Sequence, residues 1–349
     1  MKRKIKVILW GLGNMGSIIA KELFKKEGVE IVGAIARRKE KEGKDLGRLL
    51  NFDKELGIRV TNDAKSLFET TETDILLHCT TSFVEQVYHQ IKLALEKRIN
   101  VITIAEEMYN PWIKNQELAE KINNLAKINN VTVLGTGINP GFVLDTLILA
   151  LTGVCLEVNE IKASRINDLS PYGPTVMKTQ GVGITVDEFE KGITDGTIVG
   201  HIGFLESVST IAKYLGWKLD EIKQTREPII SNVLRKTSHV LVKPGMVAGC
   251  NHKAYGIKNG KAFITLEHPQ QILPELEGIE TGDYIKIKGK PEINLSIKPE
   301  IRGGVGTVAI AVNMIPHVIN STPGLKSMMD MPFCHAILSD YREWCQVLT

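Results

Sequence analysis

The sequence predicts an α/β fold, with a doubly wound parallel sheet followed by a second α+β domain. Up to about residue 137, short β-branched runs alternate with amphipathic stretches whose apolar residues recur at spacings of three and four. Such alternation is typical of a parallel sheet that helices cover on both faces. After roughly residue 155, paired strands joined by tight turns replace this pattern, which indicates an antiparallel sheet in the second domain.

The first domain contains six predicted strands, and right-handed crossovers are expected to join them. The connecting helices are clearest in FVEQVYHQIKLALEKR and NQELAEKINNLAKINN. The predicted strands are IKVILW (5–10), VEIVGAI (29–35), IRVTN (58–62), DILLHC (74–79), NVITIA (100–105) and VTVLGTG (131–137).

The second domain is predicted from its hairpin signals. YGIKNGKAFITLE indicates two strands around Asn259-Gly260, and DYIKIKGKPEINLSIK indicates another pair with a Gly-Lys turn. TVDEFEKG and GFLESVSTIAKYLGW look helical, with Thr185 and Glu188 spaced as a capping box. The later stretch GGVGTVAIAVNMIPHVINS is apolar nearly all round, so we expect it to be buried between the domains or against the first sheet.

These patterns predict two domains. Residues 1–140 form a dinucleotide-binding Rossmann domain, completed by the C-terminal helices of 304–349, and residues 141–303 form an α+β substrate-binding and dimerisation domain. A length of 349 residues fits two domains, because one hydrophobic core stops growing at roughly 250 to 300 residues. A cleft between the domains is the expected ligand site.

Composition and charge exclude several classes of protein. The net charge of +3, from 43 basic and 40 acidic residues, is too balanced for nucleic acid to be the expected partner. Five cysteines without a CxxC pair argue against a disulfide framework and against a zinc cluster, so no metal is expected. The apolar segments are too short for a secretory signal or a membrane span, and we expect a cytoplasmic protein.

The stretch GLGNMG lies between a predicted strand and a predicted helix, which is the context of the dinucleotide fingerprint G-x-G-x-x-G. In this interpretation Gly11 makes the tight turn, Gly13 lets the backbone approach a pyrophosphate, and Gly16 allows close packing of helix on strand. A plain tight turn is the alternative. The predicted cofactor-binding residues here are Gly11, Leu12, Gly13, Asn14, Met15 and Gly16.

The choice of cofactor depends on the end of the second strand. An acidic residue that would bind the ribose of NAD is missing there, and Arg37 and Arg38 follow instead. Two guanidinium groups suit a 2′-phosphate, so NADP(H) is expected, with NAD(H) also possible. A solvated surface pair leading into the charged KEKEGK loop is the alternative.

Polar residues at the ends of later strands extend the predicted site. Thr80 and Thr81 follow the fourth strand at the edge that faces the cofactor, and Ser82 could cap the next helix. Ala105 and Asn139 complete the cofactor-binding set. The glycine-rich GTGINPGF (135–142) could separate cofactor from substrate, or be a domain hinge.

Glu106 and Glu107 directly follow the fifth predicted strand. At that edge a carboxylate would face the nicotinamide, where partial burial raises its pKa toward a value useful for proton transfer. The alternative is an acidic first turn of the next helix, which the helix dipole favours.

In the second domain Arg165, Tyr172 and His268 are isolated polar residues, and such residues are more often packing or surface residues than site residues.

Four segments carry a family resemblance: VILWGLGNMG, IAEEMYNP, GTGINPGFVLD and GTVAIAVNMIPHVINSTPGL. With these segments the chain resembles the 2,4-diaminopentanoate dehydrogenase family and the related native amine dehydrogenases, and its N-terminal half is similar to dihydrodipicolinate reductase. The resemblance implies NAD(P)-dependent oxidative deamination of 2,4-diaminopentanoate to 2-amino-4-oxopentanoate and ammonia, or reductive amination of a ketone in reverse. It also implies a homodimer.

The resemblance implies roles for individual residues. The proposed base of the family is a glutamate after the fifth strand, which favours Glu106 within the Glu106-Glu107 pair. A substrate carboxylate would need a cationic partner, for which Arg165 is a candidate, although a structural salt bridge is an equal alternative. The residues that line the substrate pocket are then Asn139, Phe142, Arg165, Tyr172, His268 and Thr307.

Two other functions stay open. A dihydrodipicolinate reductase-like oxidoreductase would share the first domain. The resemblance to those reductases would also require two adjacent histidines followed by a lysine, and this sequence has no His-His pair; His252-Lys253 is isolated. A non-catalytic NADP-sensing protein would need the fingerprint alone.

Overall fold

The computed structural model describes residues 2–346 and divides into two compact units. Unit 1 comprises residues 1–141 and 303–349, and unit 2 comprises residues 142–302. The assignment of cofactor binding to the first and of substrate binding and dimerisation to the second stays a prediction.

The helices and strands alternate regularly in the first part of unit 1. Their bounds are β1 Ile5–Trp10, α1 Asn14–Leu23, β2 Val29–Ile35, α2 Leu46–Leu49, β3 Val60–Thr61, α3 Ala64–Thr70, β4 Ile75–His78, α4 Val84–Glu96, β5 Asn100–Thr103, α5 Gln116–Ile128 and β6 Thr132–Gly135.

Long strands dominate unit 2. Its elements are α6 Thr146–Thr152, β7 Glu157–Asp168, α7 Pro174–Thr179, α8 Val186–Thr194, α9 Phe204–Tyr214, β8 Glu221–Ile230, β9 Arg235–Lys236, β10 Leu241–Val242, β11 Val247–Lys258, β12 Lys261–Gln271, β13 Gly282–Lys290 and β14 Ile293–Ile297. The chain then returns to unit 1 with α10 Gly303–Asn313, α11 Ile315–Asn320, β15 Gly324–Lys326 and α12 Tyr341–Trp344.

The sheet of unit 1 has seven strands in the order β15-β6-β5-β4-β1-β2-β3. Every strand pair in it is parallel. The chain starts at β1, proceeds outward through β2 and β3, and then reverses to β4, β5 and β6. The direction of winding therefore changes between β1 and β4, which is where doubly wound sheets bind their ligands.

The strands of this sheet are buried because helices cover both faces. Ile5, Val7, Ile8 and Leu9 of β1 are fully buried. On one face the apolar sides of α4 and α5 pack against the strands in a single core cluster. The three- and four-residue spacings of the sequence account for these faces, since residues at those spacings lie on one side of a helix.

The apolar stretch Gly303–Asn320 forms α10 and α11, and by length and composition alone it could cross a membrane. In this structure 56% of that window is buried. Helix α10 packs on α1, and α11 packs on β5 and β6. The stretch is thus a core element of unit 1, packed against the first sheet, which was one of the two placements that the sequence predicted.

The sheet of unit 2 has six strands in the order β14-β13-β7-β12-β11-β8. Only the β7–β12 pair is parallel. Helix α9 lies against β11 and β12, and α8 lies against β8. The predicted hairpin between β11 and β12 is confirmed, with Asn259 and Gly260 both at positive φ, and so is the capping box of Thr185 and Glu188.

The second predicted hairpin turn is displaced. Gly289 and Lys290 belong to β13, and the chain reverses after them, before β14. A Cβ atom at Gly289 would lie 1.9 Å from the carbonyl oxygen of Glu157 on β7. This glycine therefore permits a close approach of two strands at a bulge, and does not form the turn.

The fold requires glycine at two of the three fingerprint positions after β1. Gly11 has φ +106°, and a Cβ there would lie 2.3 Å from the carbonyl oxygen of Cys79. A Cβ at Gly16 on α1 would lie 1.8 Å from the carbonyl oxygen of Gly11. Around Gly13, by contrast, a Cβ would meet no atom within 4 Å.

We expect Gly16→Ala to destabilise unit 1, because its methyl group would overlap the Gly11 backbone. Overpacking of this kind costs about 1 to 3 kcal/mol, so the Tm should fall by roughly 3 to 10 °C. Gly13→Ala is the matched control, since its methyl group enters open space, and its Tm should stay within about 2 °C of the wild type. Equal losses of Tm in the two variants would contradict this account.

Candidate functional site

The ends of four parallel strands lie side by side at one edge of the unit 1 sheet. Trp10 pairs with His78, His78 with Thr103, and Thr103 with Gly135, so β1, β4, β5 and β6 end in register. The segments that follow these strands carry most of the residues predicted to bind the cofactor and to act on the substrate. The parallel pairing therefore brings GLGNMG, Thr80, Glu106 and Asn139 to the same edge.

The fingerprint turn has the features that a pyrophosphate requires. Helix α1 begins at Asn14, and its N-cap residue, Gly13, makes no side-chain capping bond. The first turn of a helix presents N–H groups and a partial positive charge. Because nothing occupies the space beside Gly13, a phosphate can approach that backbone closely. The residues present thus fit a dinucleotide.

Several basic residues follow β2, and three of them bear on the choice of cofactor. Arg37 and Arg38 are exposed, and Arg38 approaches the carboxylate of Glu40 only to 3.9 Å. Lys41 reaches back, and its Nζ donates a hydrogen bond to the carbonyl of Leu12 in the fingerprint turn. Lys41 was not predicted from the sequence, because nothing distinguishes it from the other charged residues of the KEKEGK loop.

The hydroxyl groups after β4 are held by helix α4. Thr80 Oγ1 donates to Gln90 Oε1 at 2.7 Å, and Thr81 Oγ1 donates to Gln86 Oε1 at 2.6 Å. The structure therefore fixes both predicted cofactor residues at this edge of the sheet. Their contact with a cofactor stays a prediction.

Glu106 and Glu107 form the start of a single 3-10 turn, Glu106–Tyr109. Glu107 is buried, and its Oε2 accepts the N–H of Val84 at 3.0 Å while Oε1 lies 3.3 Å from Lys114 Nζ. This carboxylate therefore accepts a backbone N–H group that has no acceptor within the first turn of α4. The expectation that Ser82 caps that helix is wrong, because its N-cap residue is Phe83 and Glu107 supplies the acceptor.

Glu106 is in a different environment from its neighbour. Its side chain is partly exposed, yet protein surrounds the carboxyl group. Burial raises the pKa of Glu106, the charge of Glu107 adds to this, and a hydrogen bond from Ser82 opposes it. A carboxylate whose pKa is raised is a stronger base than an ordinary glutamate, which suits this side chain to accept a proton.

The loop after β6 is compact. A Cβ at Gly141, which has φ +131°, would lie 2.3 Å from the carbonyl oxygen of Gly137. The N–H of Ile138 donates to Thr307 Oγ1 on α10 at 3.2 Å. Thr307 thus lies beside the loop that carries Asn139 in unit 1, whereas Phe142 is the first residue of unit 2. Ala105 is buried.

Unit 2 brings together three of the residues predicted for the substrate pocket. Arg165 is buried, with Nη1 2.6 Å from Asp283 Oδ1 and Nη2 donating to the carbonyl of Ile301. The structure thus contains the salt bridge that was the alternative role for Arg165. Tyr172 is close enough for the charge of Arg165 to oppose the burial that raises the pKa of its hydroxyl group.

His201 joins this cluster, and the sequence analysis missed it. Its ring packs edge-on against His268 with centroids 5.0 Å apart. Burial, with the charge of Arg165, lowers the pKa of His201 to about 3 and the pKa of His268 well below its ordinary value. Both rings are therefore neutral at physiological pH and can exchange hydrogen bonds with a polar ligand.

The loop that carries His201 is held at successive backbone groups. The N–H of His201 donates to His252 Nδ1 at 2.9 Å, and Gln180 Nε2 donates to the carbonyl of Gly200 at 2.8 Å. Arg226 Nε donates to the carbonyl of Val199 at 2.7 Å. Since Nδ1 of His252 accepts, its proton is on Nε2, facing Gln224 Oε1 at 3.0 Å. His252 is thus a structural residue of this unit.

Two family models match the chain. The 2,4-diaminopentanoate dehydrogenase C-terminal domain matches residues 142–347, and the dihydrodipicolinate reductase N-terminus matches residues 5–105. The second match explains the likeness of the first domain to reductases. The first match covers the second domain, in which a dihydrodipicolinate reductase would carry the paired histidines that are missing here.

Similar proteins span almost the whole chain. A 2,4-diaminopentanoate dehydrogenase from Acetoanaerobium sticklandii is 47% identical over 97% of this chain and 97% of its own length. An amine dehydrogenase from Streptomyces virginiae is 23% identical over 95% of this chain and 98% of its own length. The structure of an amine dehydrogenase from Mycobacterium smegmatis superposes with a TM-score of 0.84 at 27% identity, covering 95% of this chain and 97% of that one.

These matches confirm the predicted fold class, the predicted resemblance and the expectation of an enzyme. The chain is an oxidoreductase with a nicotinamide cofactor and a small-molecule substrate. It belongs to the 2,4-diaminopentanoate dehydrogenase family.

Proposed function

We propose that this chain catalyses the reversible NAD(P)-dependent oxidative deamination of 2,4-diaminopentanoate at carbon 4, giving 2-amino-4-oxopentanoate and ammonia. The observation that carries the proposal is the 47% identity to a 2,4-diaminopentanoate dehydrogenase over nearly the full length of both chains. The residues of the site support it, since unit 1 offers a dinucleotide turn and a carboxyl group whose pKa is raised.

The cofactor would be held by residues 11–16, with its pyrophosphate against the N-terminus of α1. Thr80, Thr81, Ala105 and Asn139 would surround it at the edge of the sheet. When bound, the oxidised nicotinamide accepts the hydride that leaves the carbon bearing the amine.

Glu106 is proposed as the general base. Its carboxylate takes a proton from the substrate ammonium, so that the nitrogen lone pair can form the C=N bond as the hydride leaves. Glu106 then releases this proton to solvent. As water adds to the iminium carbon, the Glu106 carboxylate accepts a proton from it and passes that proton to the nitrogen of the carbinolamine. Ammonia departs as the C=O bond forms and the hydroxyl proton is lost to Glu106. Glu107 is already bonded to Val84 and Lys114, which leaves Glu106 as the carboxylate available for this chemistry.

In unit 2 we propose Tyr172 and His268 as residues of the substrate pocket. In the unit 2 cluster, neutral imidazole and phenol groups can donate hydrogen bonds without adding charge beside a substrate ammonium. Arg165 is bonded to Asp283 and to the Ile301 carbonyl, so we propose that it orients this cluster and offers only part of its charge to a substrate carboxylate.

Replacing Glu106 by glutamine is expected to slow reductive amination of 2-amino-4-oxopentanoate by at least about tenfold, because the base is lost. Glu107→Gln is the matched control: it should keep kcat within about threefold and lower the Tm, since it weakens the acceptor that satisfies α4. Both variants are assayed by NADPH oxidation with ammonia. Full activity in Glu106→Gln would contradict the assignment of the base.

The same assay separates the other functions. Turnover of dihydrodipicolinate without turnover of the amino ketone would favour a reductase. Tight NADPH binding with no turnover of any amine or ketone would favour a sensing protein.

We propose NADP(H) as the preferred cofactor, because Arg37 and Arg38 are exposed beyond β2 and Lys41 lies against the fingerprint turn. Paired guanidinium groups bind a phosphate by charge-assisted hydrogen bonds.

The double replacement Arg37→Ala and Arg38→Ala should weaken NADPH binding by about tenfold or more, at roughly 1 to 2 kcal/mol per charged contact, and leave NADH binding within about twofold. Arg48→Ala is the control, because Arg48 is an exposed arginine of the same unit. Fluorescence titration of each variant with NADPH and with NADH gives the two dissociation constants, whose ratio measures the preference for NADPH. Equal loss for the two cofactors would overturn the phosphate argument.

We also propose a homodimer in the cytoplasm. Two-fold assemblies are the commonest among soluble oligomers. All five cysteines are unpaired in the structure, as expected in a reducing compartment.

A further inference from the structure

A buried hydrogen-bond network joins the ends of β4 and β5, immediately before Glu106. His78 and Thr103 are the last residues of these strands, pair with each other across the sheet, and are 0% exposed. His78 Nδ1 lies 3.0 Å from Thr103 Oγ1. On its other side, His78 Nε2 lies 2.6 Å from Gln90 Oε1 of α4.

Thr103 connects this network to the turn that carries Glu106. Its Oγ1 accepts the N–H of Ala105 at 3.2 Å. A hydroxyl that binds the N–H two residues later bends the chain locally. The neighbouring backbone is fixed as well, since the N–H of Ile104 donates to the His78 carbonyl at 3.1 Å and the N–H of Thr136 donates to the Thr103 carbonyl at 2.9 Å.

The proton positions follow from these partners. Thr103 Oγ1 accepts from Ala105, so its own proton can point to His78 Nδ1. The proton of His78 is then on Nε2 and donates to Gln90 Oε1. Burial lowers the pKa of His78 to about 4, so the ring stays neutral in this arrangement at physiological pH. A neutral, fully buried imidazole cannot act as a proton shuttle to solvent here, and its contribution is geometric.

We propose that His78 and Thr103 are positioning residues, which fix the turn from Thr103 to Glu106 and thereby direct the Glu106 carboxyl group toward the substrate. The inference rests on the proposed role of Glu106 as base. A general base must lie within hydrogen-bond reach of the proton that it removes. A displacement of about 1 Å can cost about a hundredfold in rate, so the hydroxyl of Thr103, three residues before the base, affects kcat.

Thr132 provides a matched control on the next strand. It is buried like Thr103, and its Oγ1 donates to the carbonyl of Thr322 at 3.2 Å, at the opposite end of β6 from Gly135, the partner of Thr103. Thr103→Val and Thr132→Val each replace a buried hydroxyl by a methyl group in adjacent strands. A role in stability alone would affect both variants equally.

The test measures kcat, KM, the dissociation constant for NADPH and the Tm of each variant. Thr103→Val is expected to lower kcat by about tenfold or more, with NADPH binding within about twofold of the wild type. Thr132→Val should lose a similar Tm and keep kcat within about twofold. Thr103→Ser, which keeps the hydroxyl, should recover most of the lost kcat. Equal kcat in Thr103→Val and Thr132→Val would overturn the proposal.

Gln90→Leu gives a second test if Thr103→Val does not fold, because Gln90 is a partly exposed residue of α4. Gln90 Oε1 also accepts from Thr80 Oγ1 at 2.7 Å, so Thr80→Val, which removes that bond, is the control. Gln90→Leu should lower kcat about threefold below that of Thr80→Val, and equal kcat in these two variants overturns the proposal. Glu106→Gln distinguishes a failure of the positioning role from a failure of the proposed base. If it is inactive while Thr103→Val is fully active, only the positioning role fails; if it is active, the proposed base fails and the positioning role fails with it.

Discussion

The parallel pairing of β1, β4, β5 and β6 is the constraint on which the site of unit 1 depends. Because Trp10, His78, Thr103 and Gly135 are partners across the sheet, whatever follows each strand emerges at the same edge. The glycine turn, the threonine pair, the Glu106 turn and the loop of Asn139 are distant in sequence. The register alone makes them neighbours.

In the proposed mechanism the two adjacent glutamates after β5 have different tasks. A carboxylate that caps a helix must be tightly bonded, as Glu107 is to Val84 and Lys114. A base must be able to gain and lose a proton, which requires fewer fixed partners and a raised pKa. Burial supplies this environment for Glu106, and the charge of Glu107 contributes to it. The structural carboxylate thus helps to tune its neighbour.

Sequence reasoning succeeded where a residue type answers a local requirement. Alternating apolar runs indicate the parallel sheet of unit 1. Asn259-Gly260 indicates the β11–β12 hairpin of unit 2, because these two residue types readily adopt the positive φ that the turn requires. It failed where a distant contact decides. Ser82 is a plausible helix cap in the sequence, but in the structure Glu107 accepts the N–H of Val84. Gly289 is a plausible turn residue, but in the structure it allows the close approach of Glu157 on β7. His201 and Lys41 carry no sequence signal, since their positions depend on the fold of their loops.

The central claim is that Glu106 has a raised pKa and acts as the base. The most direct measurement is an NMR pH titration of ¹³C-labelled glutamate side chains, with Glu106 assigned by comparison with Glu106→Gln, alongside the pH dependence of kcat/KM for deamination, which reports groups of the free enzyme. We predict that Glu106 titrates above the ordinary value of 4.5 and that kcat/KM falls as the pH decreases through the measured pKa of Glu106. Titration of Glu106 at or below 4.5, or an acidic limb of kcat/KM that persists in Glu106→Gln, would contradict the account.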